Sequence, residues 1–88
     1  KPLITNLLCA AAGTEYSHAF QPYVKKFTIR ARNRSELRYA YIAGDTNTTY
    51  FTIPPGMWAS EDQIKPQALT MYFQTNKNNE IIEITEWK

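Results

Sequence analysis

The side chains able to do chemistry are few in this chain, and their spacing limits what they can do. His18 is the one histidine among 88 residues, and Glu15, three positions earlier, is its nearest carboxylate in sequence. On a strand edge or in a turn the two could meet as a general acid/base pair. A histidine that is merely hydrogen-bonded is the expectation. Cys9, the one cysteine, lies in an apolar stretch with no adjacent cation. Nothing there depresses its pKa, and it reads as a small buried hydrophobe. A lone cysteine makes no internal disulfide, and with one histidine it does not make the usual zinc site. Glu80, Glu83 and Glu86 are close in sequence. On a strand, however, Glu83 points away from the other two, so they form neither a carboxylate pair nor a metal cage. Only three glycines occur, and none builds a phosphate loop. No catalytic residue, metal ligand or cofactor is assigned, and the expectation is a protein that is not an enzyme.

Binding chemistry is the remaining option. Lys26, Arg30 and Arg32, with Arg38 on the next strand, form a basic stripe that could contact phosphates. Tyr39 and Tyr41 could stack on bases beside it. The net charge is only +2. A solvated sheet face whose cations pair with Glu83 and Glu86 is therefore expected, and nucleic acid is not an expected partner. Residues 1–44 carry seven Lys/Arg against two Glu, and residues 45–88 carry three Lys against six Asp/Glu. This asymmetry predicts that strands from the two halves pair across their charges. Aromatic content is high at 14%. Tyr50, Trp58, Tyr72 and Trp87 could stack on sugar rings. The same residues also suit a protein interface, where aromatics and arginine act as anchors.

The elements that must position these groups are strands. Val24–Arg32 alternates, with Phe27, Ile29 and Ala31 on one face and Lys26, Thr28, Arg30 and Arg32 on the other. Residues 33–36 form a turn, and Leu37–Ile42 returns. Tyr50–Ile53 is a short strand that Pro54-Pro55-Gly56 ends. Met57–Gln67 reads as a long loop with a helical turn after Ser60. Leu69–Gln74 and Glu80–Trp87 flank a polar tip, which is a hairpin signature. Ile82 and Ile84 share one face of the last strand, and Ile81, Glu83, Thr85 and Trp87 share the other. A strand apolar on both faces is central in its sheet or contacts a partner. A short strand fits Tyr16–Phe20. Residues 1–12 are an N-terminal arm or a first strand. Leu3–Ala12 is too short to span a bilayer and lacks a signal-peptide layout. The chain starts at Lys1, so a preceding segment is expected to have been removed.

Short strands between turn signals predict one all-β domain over residues 1–88, an antiparallel β-sandwich or jelly-roll-like small barrel. The expected core is Phe27, Ile29, Phe51, Ile53, Leu69, Met71, Phe73, Ile82 and Ile84.

The segments VKKFTIRARN, YFTIPPG and LTMYFQTNKNNEIIEITEW resemble small virion structural proteins of tailed bacteriophages, over residues 24–88. The resemblance implies a non-enzymatic capsid decoration, cement or neck/tail subunit, made in the host cytoplasm and located in the virion. No individual residue role transfers with it. A domain this small, without disulfide or metal, gains stability by associating. The expected partners are copies of itself or a viral shell protein. The interface candidates are Leu3, Ile4, Leu7, Leu8, Trp58, Tyr72, Ile81 and Trp87. A carbohydrate-binding module using the exposed Tyr and Trp is the alternative.

Overall fold

Along Glu80–Trp87 every second side chain is buried: Glu80, Ile82, Ile84 and Glu86. The residues between them are half-buried, as expected for a central strand covered by long side chains on its outer face. The chain's computed structural model describes residues 2–62 and 69–88. Its strands are β1 Leu3–Cys9, β2 Tyr16–Ala19, β3 Lys26–Ala31, β4 Leu37–Ala40, β5 Phe51–Ile53, β6 Trp58–Asp62, β7 Thr70–Thr75 and β8 Glu80–Trp87. A 3-10 turn, Asp45–Asn47, follows β4.

Two four-stranded antiparallel sheets face each other. Sheet A has the order β1-β8-β3-β6, and sheet B has the order β2-β7-β4-β5. This interleaving, with successive strands mostly in opposite sheets, is a jelly roll. The expected fold class is therefore observed. Between the sheets lie Phe20, Phe27, Ile29, Leu37, Tyr39, Ile53, Met71, Phe73, Ile82 and Ile84, together with Cys9 and Val24. Leu69 packs against this core from its margin.

The expected hairpins are not hairpins. β8 pairs with β1 and β3, while β7 pairs with β2 and β4. Residues 76–79 thus carry the chain from one sheet to the other. The same holds between β3 and β4, so residues 33–36 are a crossover rather than a turn within a sheet. Two further expectations are corrected. Phe51 has the inward phase of Ile53, yet it is 59% exposed, because β5 is an edge strand and leaves it at the open rim of the sandwich. It stacks there on Tyr39, with 5.2 Å between ring centroids. Trp58–Asp62 is a strand rather than a loop, since it pairs along β3. The helical turn expected after Ser60 is absent up to Asp62, and residues 63–68 lie outside the described residues. Of the two readings of residues 1–12, the first strand is the one observed: Leu3–Cys9 is an edge strand, with Cys9 in the core and Leu7 packed against it.

The crossovers at one end are fastened by a buried carboxylate. Glu80 Oε1 accepts the N–H of Asn33 (3.0 Å) and of Ile81 (2.8 Å), and Oε2 accepts that of Ser35 (3.2 Å). Arg34, at φ 58°, turns the chain between Asn33 and Ser35 so that both N–H groups converge on Glu80. Burial alone would raise the Glu80 pKa. The Ser35 hydroxyl and the three N–H groups outweigh it and hold the carboxyl below its usual range. Ser35 Oγ itself is buried without a partner at full hydrogen-bond geometry, so its help is through proximity. Asn76 strengthens the stitch, accepting the Glu36 N–H through Oδ1 at 2.9 Å.

Candidate interaction surface

Register places the chemistry-bearing residues on one face. On β8 the outward residues are Ile81, Glu83 and Thr85, then Trp87. Ile4, Asn6 and Leu8 of β1 stand opposite Thr85, Glu83 and Ile81. On the other side Lys26, Thr28 and Arg30 of β3 stand opposite Trp87, Thr85 and Glu83. Trp58 and Ser60 of β6 continue the rows beyond Arg30 and Thr28. Paired residues in a sheet share a face. The outer face of sheet A therefore carries Ile4, Leu8, Ile81, Trp87 and Trp58 around a charged centre.

That centre is a fork. Arg30 Nε donates to Glu83 Oε1 at 2.6 Å, and Arg32 Nε donates to Glu83 Oε2 at 3.1 Å. The Arg30 hydrogen bond is the main cause that holds the Glu83 carboxyl below its usual range, with Arg32 adding to it. Pairing between the basic first half and the acidic second half is thus realised at Glu83. It is not realised at Glu86, which points into the sandwich. Lys26 Nζ lies 5.1 Å from the centroid of the Trp87 ring. Trp58 is 62% exposed, Ile4 67% and Leu8 54%, so these three flanking residues are open to solvent, while Ile81 and Trp87 are half-buried.

The remaining candidates fall elsewhere. Leu3 and Leu7 have the inward phase of β1, and Tyr72 lies half-buried on sheet B. Arg38 does not extend the basic stripe, since β4 belongs to sheet B. Its guanidinium sits 4.4 Å from the Tyr50 ring and bonds Gln74 Oε1 and the Thr46 carbonyl. Tyr39 is buried and unfit to stack on a base. Tyr41 lies beside it at the rim, where burial and then Tyr39 and Glu61 push its hydroxyl up to about 12.

Glu15 and His18 do not meet. Glu15 accepts the Gly44 N–H at 2.9 Å and the Thr46 hydroxyl at 2.6 Å, pinning the loop after β4. Burial tends to raise the Glu15 pKa, but these donors prevail and lower it. His18 Nε2 is 2.9 Å from Glu86 Oε2, and Gln21 N–H donates to Glu86 Oε1 at 2.8 Å. Cys9 is buried, and burial followed by the Glu80 charge raises its thiol to about 11. A neutral thiol at ordinary pH is a poor nucleophile. Among the described residues no three His, Cys, Asp or Glu side chains gather as metal ligands, and no helix is long and apolar enough to cross a membrane.

One feature of the surface was not legible in advance. Arg30, Arg32 and Arg34 line a cleft of about 290 Å³ with Gly56, Met57 and Trp58. Pro54-Pro55-Gly56 hinted at a turn, but only the β3–β6 pairing brings that turn beside the arginines.

No protein-family model matches this chain, and no curated protein does. Among solved structures it is similar to the solution NMR structure of a de novo designed double-stranded beta-helix, with a TM-score of 0.59 and 15% identity. The match covers 98% of this chain and 96% of the design. At that identity the likeness concerns the fold alone.

Proposed function

We propose that this domain is a non-enzymatic adhesive subunit of a larger assembly, a virion component of a tailed bacteriophage of the capsid decoration, cement or neck/tail type. The observation that carries the reading is the outer face of sheet A. Apolar and aromatic side chains there surround an arginine–glutamate fork and remain open to solvent. Interfaces concentrate such aromatics and arginines and bury them. Trp58 stands exposed on the β6 edge of this face, and Ile4 and Leu8 on its β1 edge. The sequence resemblance to phage structural proteins supplies the particle, and the partners are copies of the domain or a shell protein.

The test is co-sedimentation with particles produced from the genome that encodes the chain, stripped of their own copy. The wild-type domain should bind, and Trp58→Ala should weaken binding by on the order of tenfold or more, as for an interface anchor. Absence of binding, or full binding by Trp58→Ala, would overturn the reading.

The carbohydrate-binding alternative rests on the same Trp58, which stands beside the arginine-lined cleft. A glycan array separates the two readings. Saturable binding to a sugar, lost in Trp58→Ala, with no binding to particles would establish the alternative.

A further inference from the structure

We infer that the free edge of β1 pairs antiparallel with β1 of a second copy, joining two A sheets into one eight-stranded sheet across a two-fold axis at Asn6. This gives the assembly reading one of its contacts and rests on it to that extent.

The ladder shows which backbone groups are free. Arg32 N–H donates to the Ile81 carbonyl and Lys25 N–H to the Trp87 carbonyl. The odd-numbered residues of β8 therefore turn their backbone groups toward β3. By the alternation of an antiparallel ladder, the even-numbered ones turn theirs toward β1. Opposite those even residues stand Leu3, Thr5, Leu7 and Cys9. Ile4, Asn6 and Leu8 are left with N–H and C=O at the open edge, with no partner strand among the described residues.

Edges of this kind are normally defended by charge, proline or shortness. The other three edges here are. β2 has four residues, β5 has three, and β6 carries the charge of Glu61. β1 has seven residues and no charge at all.

The pattern also identifies the occupant. Pairing two β1 strands about Asn6 sets Ile4 against Leu8 of the second copy, Asn6 against Asn6, and Leu8 against Ile4. Apolar meets apolar at both ends, and amide meets amide at the centre. All three free N–H and C=O pairs of each strand are used, and no like charges are brought together. A seven-residue strand is about 23 Å long and two stacked sheets are about 10 Å apart. For two copies that wall comes to on the order of 500 Å² in total, below the usual size of a specific contact. The expected affinity is accordingly modest.

Because Asn6 faces itself, charge variants read the register directly. Sedimentation equilibrium of the 10.2 kDa chain should show a dimer of twice that mass. Asn6→Lys and Asn6→Asp should each weaken it by on the order of tenfold or more, since like charges then meet. Mixed one to one, the two variants should dimerise again, which a folding defect could not reproduce. Trp58→Ala should leave the dimer unchanged, so loss of particle binding and loss of self-association are told apart. A wild-type chain that stays monomeric to about 1 mM, a dimer too weak for this contact, would overturn the inference. So would charge variants that dimerise like wild type, or a mixture no tighter than its components.

Discussion

Glu80 and Glu86 stand at the two ends of the inward face of β8, with Ile82 and Ile84 between them, and each carboxylate fastens one end of the sandwich. Glu80 gathers N–H groups from the β3–β4 crossover, whereas Glu86 bonds His18 of the opposite sheet and the N–H of Gln21. The strand that holds the middle of sheet A thus also holds the loops at both ends.

Glu80→Ala should destabilise the domain by about 2–3 kcal/mol, since the buried Ser35 N–H and the partly buried N–H groups of Asn33 and Ile81 lose their acceptor. Urea unfolding measures this. A change under about 0.5 kcal/mol would mean that water replaces the carboxylate without cost.

Acid should unfold the wild type for the same reason. The Glu80 and Glu83 carboxyls are held below their ordinary values in the folded state. Their contribution is complete above about pH 4–5, the range of unfolded glutamates, and is lost as pH falls through the lower folded values. Stability should therefore fall on acidification, and Glu80→Gln should flatten that slope in a pH series of urea midpoints.

Phe73→Ala should cost about 3–5 kcal/mol, because the ring is fully buried between the sheets. Phe51→Ala should cost only about 1 kcal/mol, the worth of its stacking on Tyr39. Equal denaturant midpoints for the two variants would contradict the assignment of β5 to an open rim.

Cys9 should resist thiol reagents in the native state at pH 7–8, the range of its neutral form. Its reaction with an aromatic disulfide should follow unfolding, accelerating with urea. Stoichiometric labelling within seconds in native buffer would show that β1 opens freely.

Period-two patterning was enough to read the strands and most of the core, because Phe27/Ile29, Met71/Phe73 and Ile82/Ile84 alternate with polar residues. Pairing was not readable. A short polar tip such as Asn76–Asn79 can close a hairpin or cross between sheets, and what decides is the distant strands β1 and β2. Glu80 and Glu86 were a signal, since both share the inward phase of the isoleucines. A charge in that phase implies a buried acceptor with donors to satisfy. Phe51 failed for a different reason. Its phase was right, but burial also depends on whether a strand is central or at an edge. The interaction surface was half legible, in that Trp58, Trp87, Ile81 and the arginines were named. Their gathering on one face depended on β6 pairing with β3.

The outer face of sheet A is the surface proposed to meet the particle. Oxidative footprinting of the domain, free and bound to its particle, measures this most directly. Trp58, Met57 and Trp87 should each lose most of their reactivity on binding, while Tyr72 on sheet B and Tyr50, just before β5, keep theirs. Undiminished oxidation of Trp58 and Trp87 in the bound domain, with protection confined to sheet B, would contradict it.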